Sequence, residues 1–166
     1  MLEFLKMIRE EQIRILKGLI NYLDSKTNVD AGGIMKAPAD TYTSQERFDR
    51  EWESFFLNHP QIIGMSGDLP KNNTFLTTEE FGKPILATRN EKGEFKAYAN
   101  VCSHRGVIVE GEKRGEKSRF SCPFHGWTFS NEGSLVGYPK SDQFGEIDKD
   151  CYGLKELPTL EKYGFL

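Results

Sequence analysis

The sequence predicts a mainly β protein, a small antiparallel β domain behind an N-terminal helical extension. Three observations predict it. Apolar residues in the first segment recur at helical spacing, and from about residue 74 they fall instead into short runs bounded by turn residues. Two of the gaps between those runs, Asn90 to Gly93 and Asn131 to Gly133, have hairpin composition, with a glycine where a positive φ costs little.

Residues 1–27 form the first segment. Leu2, Leu5, Ile8, Ile13, Leu16, Leu19, Ile20 and Leu23 follow one another at steps of mostly three and four among charges, which is the pattern of an amphipathic helix that packs on another surface. Residues 28–73 read as a connecting segment. Asp30, Gly32, Gly33, Pro38 and Asp40 interrupt any period there, and a second helix is expected over about 43–57. Thr43, with Glu46 three residues on, opens it like a capping box, and Pro60 closes it. Residues 74–166 are the β domain, with strand runs at Thr74 to Thr78, Pro84 to Arg89, Glu94 to Val101, Ser118 to Cys122, Trp127 to Phe129 and Ser134 to Gly137.

With 166 residues, 37% of them hydrophobic, the chain can bury an ordinary core. Its net charge of -3 provides no concentrated basic face for phosphate, so no nucleic-acid partner is expected. No stretch approaches the roughly 20 apolar residues of a membrane-spanning helix. Lys6, Arg9, Glu10, Glu11, Arg14 and Lys17 break up the one segment that resembles a leader, so no membrane partner and a cytoplasmic location are expected. Three cysteines are too few for a disulfide scaffold, and their odd number points toward metal binding or inert burial.

The chain has only three histidines, and two of them stand beside cysteines. Cys102-Ser103-His104-Arg105-Gly106 ends one strand run, and Cys122-Pro123-Phe124-His125-Gly126-Trp127 follows another, with residues 105–121 lying between the first histidine and the second cysteine. Two loops, at 102–106 and 122–127, each presenting one thiolate and one imidazole, can clasp a metal centre from both sides. The backbone around Gly106 and Gly126 can approach such a centre closely. A tetrahedral zinc site has the same donor types, but zinc fingers space cysteine against cysteine and histidine against histidine, whereas each loop here mixes the two. Arg105 is a candidate contact for a partner or solvent, Pro123 stiffens its loop, and Trp127 either shields the site from water or serves as core. Cys151 has no histidine near it, and His59 before Pro60 reads as a helix-end residue.

The Cys-x-His-Arg-Gly and Cys-Pro-Phe-His-Gly-Trp motifs resemble those of the Rieske domain of ring-hydroxylating oxygenase α-subunits. The resemblance implies a Rieske-type β fold and a 2Fe-2S cluster, with Cys102 and Cys122 on one iron and His104 and His125 on the other. In the respiratory Rieske proteins two further cysteines join the cluster loops by a disulfide. Val107 and Phe124 occupy those positions here, and Trp127 stands where that kind has a serine, so a potential at the low end of the Rieske range, roughly -150 mV, is expected.

The likeness covers nearly the whole chain after residue 40. Tyr42 to Trp52 is similar to the helix preceding the domain in oxygenase α-subunits, and Gly133 to Leu166 to the stretch leaving it. Family enzymes also carry a catalytic domain with a mononuclear non-haem Fe(II) on two histidines and a carboxylate. With His104 and His125 in the cluster, only His59 remains, so that domain is expected to be missing from this chain. The resemblance thus implies a one-electron carrier, part of an oxidoreductase. Its donor would be a reductase or ferredoxin, its acceptor the oxygenase catalytic domain, and a homotrimer would form only in the full-length protein. A free-standing Rieske-type ferredoxin is the alternative reading, and a zinc-stabilised interaction domain a third.

Overall fold

The structure is a computed structural model that describes residues 2–29, 32–79, 82–144 and 147–166, with no account of the side chains of residues 2–7, 143 and 144. Asp30 of the connecting segment and the side chains of Leu2 and Leu5 in the predicted stripe therefore lie outside the described residues. The chain divides into two compact units, one up to Arg47 and one from Phe48 to Leu166.

In the first unit, α1 spans Leu2–Ser25. Its apolar residues Ile13, Leu16, Ile20 and Leu23 recur at steps of three and four and so share one side of the helix. The helix expected over about 43–57 is divided. A short α2 covers Asp40–Thr43, and α3 covers Gln45–Glu51. The cap falls one residue later than the Thr43 expected from the sequence, because the Ser44 hydroxyl accepts the Arg47 N–H at 3.2 Å, while the Thr43 hydroxyl turns back to the Ala39 carbonyl.

In the second unit, Trp52–Phe56 continues from α3 as a π-helical turn. Phe48, Trp52 and Phe56 are spaced four apart, Phe48 stacking on Trp52 at 5.8 Å between ring centroids and Phe56 meeting Trp52 at a tilt at 5.2 Å. Eight strands follow among the described residues. β1 (Thr74–Thr78), β2 (Ile85–Arg89), β3 (Phe95–Ala99), β4 (Arg114–Glu116) and β8 (Glu156–Leu157) form an antiparallel sheet in the order β4-β1-β2-β3-β8. The second sheet contains β5 (Arg119–Ser121), β6 (Thr128–Ser130) and β7 (Leu135–Gly137) in sequential order. The antiparallel β class and the six strand runs read from the sequence match this architecture. β4 and β8 escaped that reading because Arg-Gly-Glu and Glu-Leu, at the two edges of the larger sheet, have no apolar alternation.

Period-two alternation splits the core in two. Phe75, Leu86 and Tyr98 face the smaller sheet and pack with Phe120, Trp127, Phe129 and Leu135. Leu76, Ala87 and Ala97 face the other way, onto Leu69, Ile63 and Leu166. The register confirms the faces, pairing Leu86 with Tyr98 and Ala87 with Ala97. The larger sheet is thus buried on both sides, which explains why β1 begins with three buried residues in a row.

The segment approaching Leu166 is fastened by backbone bonds to residues 63–66 and by an ion pair. Arg89 donates two bonds to the Glu161 carboxylate, at 2.8 Å and 2.9 Å, and further bonds to the carbonyls of Leu69 and Gly93. The guanidinium, with a further hydrogen bond from Ser66, pulls the Glu161 pKa down to about 2. The folded value lies below the unfolded one, so this stabilisation is present above about pH 4.3 and is lost as pH falls toward 2. Glu161→Gln is expected to cost about 1 kcal/mol at neutral pH, after allowance for solvent screening. It should also flatten the dependence of melting temperature on pH between 5 and 2.5. An unaltered acid limb would show that the pair contributes nothing.

Candidate metal centre

Each candidate loop is closed by the same pair of backbone bonds. The Cys102 N–H bonds the Val107 carbonyl at 2.8 Å, and the Gly106 N–H bonds the Cys102 carbonyl at 2.9 Å. In the second loop the Cys122 N–H bonds the Trp127 carbonyl at 2.8 Å, and the Gly126 N–H bonds the Cys122 carbonyl at 2.9 Å. Both glycines sit in the left-handed region, with φ +75° at Gly106 and +72° at Gly126. A Cβ on Gly126 would also come within 3.0 Å of Pro139. The loops therefore have one design, differing in whether the histidine stands two or three residues after the cysteine.

Their bases are held differently. β5 and β6 close the second loop through the Ser121 to Thr128 pairing. The first is clipped by Asn100, whose buried side chain accepts the Glu110 N–H at 3.0 Å and donates to the Glu110 carbonyl at 2.8 Å. Nothing in the local pattern singles out Asn100, since its partner lies ten residues away across a loop of irregular backbone.

The loops bring all four donor residues together, and in pairs. Cys102 and Cys122 are each 3% exposed and lie in the same core cluster, near enough for the Cys122 thiol to act on Cys102. Burial raises the Cys102 pKa, as does the neighbouring thiol, while the nearby amides of His104 and Arg105 act in the opposite sense. A metal ion that displaces the proton removes the desolvation penalty. The imidazoles of His104 and His125 meet edge to face at 4.7 Å between centroids and are half-buried. Burial lowers the His104 pKa, and the His125 ring and Arg105 lower it further, which favours the neutral form that binds metals. Among the described residues no three His, Cys, Asp or Glu side chains surround one ion position.

The other candidates surround these pairs. Trp127, 2% exposed, lies parallel to the His104 ring at 4.8 Å and 6°. It belongs to the core, which is one of the two sequence readings of this residue. Phe124 tilts over His125 at 3.8 Å and is itself 58% exposed. Arg105 and Gly106 are exposed on the first loop. Tyr138 and Tyr152, which sequence reasoning did not single out, flank Trp127 at 5.7 Å and 5.6 Å. Cys151 is exposed and donates to the Asp148 carboxylate at 3.4 Å, which raises its pKa. His59 ends the helical stretch, with Nδ1 at 2.9 Å from the Ser54 carbonyl.

Two antiparallel sheets carrying paired thiols and paired imidazoles on like loops define a β-sheet metalloprotein with mixed sulfur and nitrogen donors. The Rieske [2Fe-2S] domain model matches residues 59–161, and the chain belongs to that family. The α subunit of toluate 1,2-dioxygenase from Pseudomonas putida is 34% identical over 153 residues, covering 89% of this chain and 34% of that protein. The large subunit of anthranilate 1,2-dioxygenase from Acinetobacter baylyi is 32% identical, covering 81% of this chain and 29% of that protein. Among solved structures, naphthalene 1,2-dioxygenase from Rhodococcus sp. bound to indole superposes with a TM-score of 0.67 at 33% identity, over 72% of this chain and 28% of that one. The apo form of a quaternary ammonium Rieske monooxygenase gives 0.68 at 30%, over 78% and 38%. The chain thus spans about a third of the length of the curated relatives it matches. The family's group is a Rieske-type 2Fe-2S cluster, and the donor chemistry fits it, with a buried sulfur pair beside a half-buried nitrogen pair. No helix among the described residues is long and apolar enough to cross a membrane.

Proposed function

We propose that this chain carries one electron at a time as the Rieske domain of a ring-hydroxylating oxygenase α-subunit, with Cys102 and Cys122 holding one iron and His104 and His125 the other. The observation that carries the reading is the pairing of donors, sulfur with sulfur and nitrogen with nitrogen, on two loops closed by the same backbone bonds. A single zinc ion would need all four donors about one point, and among the described residues no three such donors surround one ion position, which argues against the zinc reading. When bound, a cluster of this type accepts and releases one electron.

The residues divide the remaining work. The thiols are buried and the imidazoles reach the surface, so electrons would enter and leave on the histidine side, flanked by Arg105 and Phe124. The amides of His104 and Arg105 lie near the Cys102 sulfur and would stabilise its thiolate as an iron ligand. Gly106 and Gly126 allow both loops to close, and Trp127 excludes water from one face of His104. A reductase or ferredoxin would supply the electron. The acceptor would be a catalytic domain with mononuclear non-haem Fe(II), reached through one of the cluster histidines, with a homotrimer as the full-length assembly and the cytoplasm as its compartment.

Residues 74–166 would form the cluster domain, with 28–73 as connector and 1–27 as a packing helix. Support for an oxygenase subunit over a free-standing ferredoxin comes from the extent of the likeness. The toluate dioxygenase subunit aligns with 89% of the chain, well beyond the 59–161 of the family model. Iron and acid-labile sulfide measured on the pure protein should reach about two of each per chain, with visible absorption and a reduced-state EPR signal. Zinc without sulfide would reject the proposal.

A further inference from the structure

The side chain of a histidine turns about a broad, weakly defined terminal torsion, so its ring plane has to be set by neighbours. His104 is held from two directions that meet at one residue outside both loops. Ser103, next to it in the chain, donates its hydroxyl to the Tyr152 carbonyl at 2.6 Å, from 49 residues away in sequence. The Tyr152 ring meets Trp127 edge-on, with centroids 5.6 Å apart at 74°, and Trp127 in turn lies flat on the His104 imidazole. The contacts run from Ser103 to Tyr152, to Trp127, to His104 and back through the chain, so they close a circuit.

Tyr152 is a firm point in that circuit. It ends the 3-10 turn Lys149–Tyr152, which Asp148 caps by accepting the Asp150 N–H at 3.1 Å. Just beyond it, the Leu154 N–H bonds the Gly133 carbonyl at 2.7 Å, and β8 then joins the larger sheet. The side-chain bonds of the second loop are local by comparison. Ser121 and Thr128 share a bond of 2.8 Å, and Thr128 donates to the Gly126 carbonyl at 3.1 Å, all within one hairpin.

We infer that Ser103 and Tyr152 are positioning residues that set the plane of the His104 imidazole for its iron, tying one cluster ligand to the turn before β8. The inference rests on His104 being a cluster ligand. Outer contacts of this kind orient metal-binding imidazoles and tune the metal they hold.

The test uses the cluster-loaded full chain and four variants. Ser103→Ala removes the hydroxyl and Ser103→Thr keeps it. Tyr152→Leu removes the ring and Tyr152→Phe keeps it, while both retain the accepting carbonyl. Release of iron to a chelator should be about fivefold faster in Ser103→Ala, the factor that loss of one hydrogen bond of ~1 kcal/mol gives, and faster by a similar factor in Tyr152→Leu, which keeps that bond but loses the edge-on ring contact with Trp127. The g values of the reduced EPR signal should shift in the same two, while Ser103→Thr and Tyr152→Phe should match the unaltered chain. Unmoved g values in Ser103→Ala and Tyr152→Leu would overturn the inference even if iron leaves faster, since general loosening alone does that. So would a Tyr152→Phe protein as altered as Tyr152→Leu. If Tyr152→Leu does not fold, the Ser103 pair decides the matter. An unaltered chain that binds no iron and sulfide would instead remove the cluster reading itself.

Discussion

Cys102→Ala and Cys122→Ala are each expected to yield protein without a cluster, with iron and acid-labile sulfide near zero and no visible or EPR signal. The physical reason lies in the pairing. Each thiol is 3% exposed and has the other as its neighbour, so under the proposed assignment removing one would leave an iron with a single protein sulfur and a cavity where the second stood. Neither imidazole can replace it, because His104 and His125 pack against each other and would serve the second iron. Cys151→Ser is the control. That thiol is exposed and bonded to Asp148, and its replacement should leave the spectra unchanged. A native spectrum in Cys102→Ala would show that the ligands are wrongly assigned.

Trp127→Ala is expected to produce the largest loss of stability of any single substitution around the site. Trp127 is 2% exposed and touches His104, Tyr138 and Tyr152 while belonging to the core between the two sheets. Truncating a buried tryptophan costs about 3–5 kcal/mol, a large part of the roughly 5–15 kcal/mol that holds a domain of ordinary size together. The melting temperature should fall by roughly 10 °C or more. Cluster content should fall with it, because the flat surface under His104 is lost. A decrease of no more than ~2 °C in thermal denaturation of the metal-free protein would show that the ring is not needed by the core.

The strands that could be read from the sequence share one property, an apolar run facing a core. Phe75, Leu86, Tyr98, Phe120, Phe129 and Leu135 each stand in such a run, and each is buried. β4 and β8 had no such signal, since a short edge strand is specified by its partner's backbone and not by its own pattern. The division at Ser44 was hidden for a related reason. Thr43 and Ser44 are both good caps, and the choice between them depends on which hydroxyl meets an N–H.

By itself the sequence determined what is local: the amphipathic first helix, the hairpin turns on glycine, and two short loops that each pair a cysteine with a histidine. Those features follow from spacing along the chain, where neighbouring residues dictate the geometry. Only the tertiary structure decided that the two loops face each other with thiol beside thiol and imidazole beside imidazole, that Asn100 clips one loop, and that Tyr152 backs the stack behind His104. These depend on sheets closing over a shared core, which brings together residues that the chain keeps far apart.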